Sequence, residues 1–380
     1  MRRAIADGVF TLVALLLAIP ALLLAALFLL VSPALIAIHA ALEFALRPRR
    51  RVSDRAAFLV TGAARGCGRD AVFALARRGQ VAIAGVRRSS DIQDLESTWA
   101  KEAPQESKGK VIGLILDVTN RAQIAEAPAK VESICRSEGC AFMGLVNNAG
   151  ILDFDTVGLG TSPDKPSALE TMCGVNTFGS ARVADVFLPM LAENYGRVVF
   201  ESSIGGLTNL PLYSGYCTSK HAVEAIVEDM WLCNASNNLS ISIINAGFLK
   251  TDMVEQQKTG IVAHVADQQL NNPRAKLFPE ILSMGWSKYL ESSMMRAVPA
   301  HHHTECVLHA LLSERPKMRY WSGSVGGMPP WVIAGMSRFV PEILLVPFNH
   351  RVYRFLAKSE RPKPDHDSKR SHLLPSASKG

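Results

Sequence analysis

A chain of 380 residues with 48% hydrophobic and 20% charged side chains can bury a large core, which excludes disorder except at the ends. The formal charge of +7 comes from those ends: residues 1–55 hold seven Lys/Arg against three Asp/Glu, residues 358–380 hold six against three, and residues 56–357 hold 28 of each sign. A neutral core without a basic stripe interleaved with aromatics excludes a nucleic-acid binder, whereas a basic flank beside an apolar segment is a pattern of membrane topology. Seven scattered cysteines with no CxxC exclude a disulfide framework and read as small buried hydrophobes in a reducing compartment.

From Gly8 to Leu46 the only charge is Glu43, and Val9–Val31 is almost continuously apolar. Its 23 residues span a hydrocarbon core at ~1.5 Å per residue. A cleaved signal peptide would have an apolar region of only ~7–15 residues, so residues 1–47 are read as an uncleaved transmembrane anchor. Pro20 and Pro33 leave open a single span, a helix followed by an interfacial helix, or a hairpin. Arg47, Arg49, Arg50 and Arg51 outnumber Arg2 and Arg3, so the greater positive charge lies on the side of the following domain and turns it toward the cytosol. Residues 48–55 form a basic linker. Sequons at Asn234 and Asn238 are common by chance and do not alter this reading.

Ala56–Val60 predicts a strand, Thr61-Gly62-Ala63-Ala64-Arg65-Gly66-Cys67-Gly68 a glycine-rich turn, and Ala71–Arg78 a helix. Such a turn lets backbone approach a pyrophosphate, and the helix N-terminus offers unpaired N–H groups to it, although an ordinary βα turn looks the same. The next strand, Val81–Gly85, lacks the acidic residue that would bind an NAD ribose and is followed by Val86, Arg87 and Arg88. Arginine pairs with a 2′-phosphate, and Arg65 in the turn is placed to do the same, so NADP(H) is preferred, with NAD(H) the alternative. Strands over Val111–Leu116, ending in Asp117-Val118, and over Met143–Val146, ending in Asn147-Asn148-Ala149-Gly150, continue an alternation that predicts an α/β, Rossmann-type, doubly wound parallel sheet.

Tyr216 and Lys220 lie four apart, on one face of a helix predicted over Gly215–Leu232. A phenol titrates near pH ~10, and a neighbouring ammonium makes it a proton donor and acceptor nearer neutrality. Gly196–Phe200 predicts a buried strand with Ser202 and Ser203 at its end. Asn176 precedes a helical stretch, and a strand over Ile241–Ile244 leads to Ala246-Gly247-Phe248-Leu249-Lys250-Thr251.

Over residues 56–260 these motifs, in this order, resemble the short-chain dehydrogenase/reductase family. The resemblance implies that Tyr216 is the general acid/base, that Lys220 lowers its pKa and holds the nicotinamide ribose, that Ser203 bonds the substrate oxygen and that Asn176 positions a relay water. It implies cofactor contacts from Gly62, Gly66 and Gly68 with Cys67 between them, from Asp117 and Val118 at the adenine, from Asn147, Ala149 and Gly150, and from Gly247 and Thr251. Ala246 stands where the family usually has Pro.

Beyond Thr251, the residues Met253, Val254, Leu277, Phe278, Leu282, Met284, Trp286, Met294 and Met295 suit the lining of a lipophilic pocket, and equally an ordinary core. Residues 326–357 are apolar but too interrupted by charge and proline to span, and read as a substrate cover or membrane contact. Together with the anchor, Leu116-Asp117-Val118-Thr119, His309-Ala310-Leu311 and Met318-Arg319-Tyr320, they are similar to the retinol and hydroxysteroid dehydrogenase branch. That likeness implies a lipid substrate reached from the bilayer, and the endoplasmic reticulum is the expected membrane; the helices that usually form the family's dimer interface are present, so a homodimer is one option, and membrane anchoring could substitute another contact. His302, Cys306 and His309 share a helical face, but no metal is required. One catalytic domain is thus expected over 56–325, followed by the apolar segment and a disordered tail, 358–380. Its leading function is alcohol and carbonyl interconversion with NADP(H). The alternatives are NAD-dependent retinol or hydroxysteroid oxidation and a catalytically silent nucleotide-binding membrane scaffold.

Overall fold

The computed structural model describes residues 53–154, 166–234, 238–277 and 282–339, with isolated positions from 38 to 49 and residue 351. The chain divides into two compact units, Met1–Arg51 and Val52–Gly380. Of the first, the described helical positions include exposed Ile38, Leu42 and Phe44. The Val9–Val31 span lies outside the described residues, among which no helix is long and apolar enough to cross a membrane.

The second unit is built on strands β1 (Ala56–Thr61), β2 (Val81–Val86), β3 (Lys110–Ile115), β4 (Ala141–Asn147), β5 (Arg197–Ser203), β6 (Ser240–Ala246) and β9 (Arg319–Ser322). They form one parallel sheet in the order β3-β2-β1-β4-β5-β6-β9. Short strands β7 (Leu249–Lys250) and β8 (Val298–Pro299) pair separately. Every residue of β1, β2 and β5 is buried, because helices cover both faces of a parallel sheet. On one face, Phe58, Val60, Val146 and Val199 pack with helix α1 (Gly66–Arg77) and helix α9 (His301–Leu312). On the other, Leu59, Leu145, Val198 and Phe200 meet helices α3 (Arg121–Glu138), α5 (Ser180–Glu193) and α6 (Ser214–Cys233).

Helix α2 (Ser89–Glu102) packs along β3. A short helix α4 (Ala168–Met172), capped by Ser167 and Glu170, runs into a π-helical turn, Cys173–Gly179, and on into α5. Asn176 therefore lies inside a continuous helix, where the sequence placed it ahead of one. Helices α7 (Asp252–Asn271) and α8 (Met284–Met295) pack together and carry a third cluster, in which Leu212, Tyr213 and Cys217 meet Ile261, Val265, Leu282, Leu290 and Met294.

The Met-rich segment thus divides. Met253 and Val254 line a cavity, Leu282 and Met294 are core, Leu277 and Met295 are exposed, and Phe278 with the side chains of Met284 and Trp286 lies outside the described residues. Of residues 326–357, helix α10 (Pro330–Phe339) is described; it packs beside the turn Ile204–Gly206 with Trp331 and Met336 exposed.

Candidate active site

The carboxyl ends of β1, β4, β5 and β6 open onto a cavity of ≈ 320 Å³. Ligands collect at this edge because the sheet order reverses between β1 and β4, which parts the loops that follow them. Glycine is required in the first of these loops. Gly62 has φ +65°, and a Cβ there would come 2.8 Å from Ala149 Cα; one on Gly68 would come 2.5 Å from Asn148 Nδ2. Gly66, at φ +57°, has open space where its Cβ would be, and α1 starts without a side-chain cap. Its first N–H groups and the open glycine face fit a dinucleotide pyrophosphate.

Asn148 holds this turn. Its Nδ2 donates to Thr61 O at 2.8 Å and Gly62 O at 3.2 Å, while Thr61 Oγ1 accepts from the N–H groups of Asn148 and Ala149 at 3.1 and 3.0 Å. The sequence assigned Asn147 to the cofactor. That residue is buried at the end of β4, away from the cavity lining, with neither amide atom hydrogen-bonded among the described residues, and its neighbour Asn148 faces the cavity.

Tyr216 and Lys220 share the inner face of α6, and Ser203 ends β5 beside them. Lys220 Nζ donates to Glu201 O at 2.7 Å and lies 5.8 Å from the Tyr216 ring centre. Burial pulls this ammonium down to about 8, against the carboxylates of Glu201 and Glu224. Burial pushes the Tyr216 phenol up to about 12, and a hydrogen bond with Ser203 pulls it partly back. Desolvation is the largest influence on the phenol in the protein without its cofactor. Ser203 Oγ also donates to Ala246 O at 3.2 Å and accepts from Gly205 N at 3.1 Å. The Ala at the usual proline position so contributes a carbonyl that orients the serine.

Asn176 is fully buried and does not line the cavity. Its Oδ1 accepts from Ile151 N at 2.8 Å, and its Nδ2 donates to Ile151 O at 3.0 Å and Ser219 Oγ at 2.9 Å. It clamps the loop after β4 to the catalytic helix; a Cβ on Gly150 would lie 3.4 Å from its Oδ1 and 3.7 Å from Lys220 Nζ.

Of the residues that the sequence assigned to the site, Gly62, Arg65, Gly66, Cys67, Gly150, Ser203, Tyr216, Lys220, Gly247 and Thr251 line the cavity, and Gly68, Arg87, Asp117, Val118 and Ala149 do not. Gly68 and Ala149 pack behind the turn, Val118 is buried, and Arg87 is exposed beyond β2. Asp117 turns its carboxylate onto Thr119, accepting from N at 2.8 Å and Oγ1 at 2.7 Å. Burial pushes the Cys67 thiol in this lining up to about 12, so it stays protonated near neutrality. Glu201 and His303 also line the cavity, and sequence reasoning missed both. A carboxylate inside the apolar strand run was the available signal for Glu201. His309 Nδ1 lies 2.8 Å from Tyr320 OH, and Cys306 Sγ donates to Trp321 O at 3.8 Å, so these two face β9.

The family model for short chain dehydrogenases matches residues 56–261, and the chain belongs to that family. It is an oxidoreductase that acts on an alcohol or ketone with a nicotinamide cofactor. It is 26% identical to the 3beta-hydroxysteroid dehydrogenase dhs-16 of Caenorhabditis elegans, over 76% of this chain and 77% of that one. It is also 26% identical to retinol dehydrogenase 5 of Mus musculus, over 73% and 84%. Among solved structures, a short chain dehydrogenase from Burkholderia cenocepacia J2315 in complex with NADP shares the fold at TM-score 0.54 and 21% identity, covering 77% of this chain and 97% of its own.

Proposed function

We propose that the chain is a membrane-anchored, NADP(H)-dependent enzyme that interconverts an alcohol with a ketone or aldehyde on a lipophilic substrate, of the retinoid or steroid kind. One observation carries this reading: Tyr216, Ser203 and Lys220 converge on a cavity with the glycine turn at one end and Leu152, Leu210, Phe248, Met253 and Val254 as an apolar wall. The bound nicotinamide supplies or accepts the hydride. In reduction, Tyr216 gives its proton to the carbonyl oxygen while Ser203 holds that oxygen; in oxidation, Tyr216 takes the proton back. Its raised pKa keeps it protonated near neutrality, the state that reduction needs. Lys220 spends one N–H on Glu201 O and has others for ribose hydroxyls.

The NADP(H) preference rests on Arg65 in the lining, on exposed Arg87, and on Gly85 and Val86 where a carboxylate would repel a 2′-phosphate. Arg88 is engaged by Asp91 at 3.0 Å. The names of the relatives support the substrate class. Residues 1–47 supply the anchor, in the endoplasmic reticulum with the catalytic unit in the cytosol, and the homodimer remains part of the proposal. A silent scaffold has no physical need of a lysine buried beside the tyrosine.

The test is oxidation of NADPH and NADH by membranes carrying wild-type or Tyr216→Phe protein, offered retinal, steroid ketones and long-chain 3-keto lipids. Turnover faster with NADPH, and reduced ~10²–10⁴-fold in Tyr216→Phe, is expected. Nucleotide binding without turnover of any compound in either direction leaves the scaffold reading standing instead.

A further inference from the structure

Glu201 stands where the strand alternation calls for an apolar side chain. Val199 packs on the α1 and α9 face, and Glu201, two residues on, projects to the same face with 8% exposure. Its Oε1 lies 3.2 Å from Nε2 of His303, which is 2% exposed, and His303 Nδ1 lies 3.0 Å from Ser322 Oγ. Among the described residues Oε1 accepts no well-aligned hydrogen bond. A buried carboxylate persists only where something offsets its desolvation, and here an imidazole faces it. Both groups line the cavity with Gly62, Gly66, Tyr216 and Lys220, and the backbone oxygen of Glu201 holds Lys220. Along one strand face, Glu201 precedes Ser203 by roughly 7 Å, close enough for a buried charge to act on whatever reacts there. Proton transfer by Tyr216 needs neither group.

Building on the dinucleotide reading above, we propose that the Glu201–His303 pair selects the redox state of the cofactor: its net negative charge favours the cationic oxidised nicotinamide over the neutral reduced one, and protonation of His303 cancels the preference. With His303 neutral the pair carries one negative charge; with imidazolium it carries none. The ionisable or polar groups facing the pair are Asp70 and Cys67 from α1, Lys220 and Tyr216 from α6, Ser322 from β9 and Cys306 from α9 itself. The remaining strand packed on α9, β6, has no ionisable residue. Burial pulls the imidazole down, but Glu201 and Asp70 outweigh it, so it titrates above its usual value. The preference for oxidised cofactor is therefore full above that titration and fades as pH falls through it. A carboxylate here also offsets the charge of Lys220, so that oxidised cofactor meets less repulsion.

The experiment measures dissociation constants on the full chain in detergent micelles, for NADPH by energy transfer from tryptophan and for NADP⁺ by displacement of NADPH. At about pH 9 the ratio of the NADP⁺ constant to the NADPH constant is expected to rise about tenfold in Glu201→Gln. In His303→Gln the ratio keeps its high-pH value, and the part of its pH dependence due to His303 disappears; because Glu201 also holds the Lys220 ammonium up, Glu201→Gln is compared with the others at high pH and the His303 component is read from His303→Gln. The wild-type ratio and pH dependence in either variant, once circular dichroism shows that variant folded, would overturn the inference while leaving the dinucleotide reading intact. A wild-type protein that binds neither cofactor sinks both.

Discussion

The Nδ2 of Asn148 occupies the position that a side chain at Gly68 would need, since a Cβ there would come within 2.5 Å of it. The same Cβ would approach Gly62 O to 2.8 Å and Ala63 Cα to 3.1 Å, so backbone as well as side chain would have to move. The constraint joins the turn after β1 to the loop after β4 and fixes the shape that faces the pyrophosphate.

Gly68→Ala is accordingly expected to destabilise the protein by about 1–3 kcal/mol and to remove the thermal stabilisation that NADPH gives the wild type. Differential scanning fluorimetry with and without NADPH checks this. A variant still stabilised like the wild type would show that the loops separate easily.

Lys220 is lowered to about 8 by burial, so between about pH 8 and its unfolded value the unfolded chain binds more protons than the folded one. This group's contribution to stability therefore improves as pH rises through that window. Lys220→Met should be more stable than the wild type at pH ~7, with the difference shrinking by on the order of 3 kcal/mol toward pH ~10.5. Urea unfolding of both proteins across that range reads it. A constant difference would mean that the ammonium is better solvated than its surroundings imply.

Beneath the catalytic helix, Glu224 accepts from Arg319 Nη1 at 2.7 Å and Asn245 Nδ2 at 2.6 Å and is also bonded by Ser202 Oγ. Arg319→Met leaves this buried carboxylate without its cation and should cost about 3–5 kcal/mol, most of it recovered by adding Glu224→Gln. Urea midpoints for the single and double variants test this, and additive losses would deny the coupling.

If Arg65 and Arg87 hold the 2′-phosphate, Arg65→Ala and Arg87→Ala should each raise the KM for NADPH about tenfold while leaving that for NADH unchanged. Equal effects on both cofactors would mean that these arginines are solvated or act only on the pyrophosphate.

The sequence by itself determined the parallel sheet, because strands covered on both faces must be continuous apolar runs. Ala56–Val60 and Val81–Gly85 announce themselves in that way. It also determined Tyr216 with Lys220 and the glycine turn, since a four-residue helical spacing and a tight βα loop are local geometry. What only the tertiary structure decided are meetings between distant elements. Strand period gave Glu201 a face but no partner, and α9 brings His303 to it from far along the chain. Periodicity likewise could not tell Asn148, turned to the cavity, from Asn147, turned into the sheet, because the strand ends between them. Nor could composition separate Met253, on the cavity wall, from Met294, in the core: apolar residues of one kind serve either purpose, and packing between α7 and α8 assigns them.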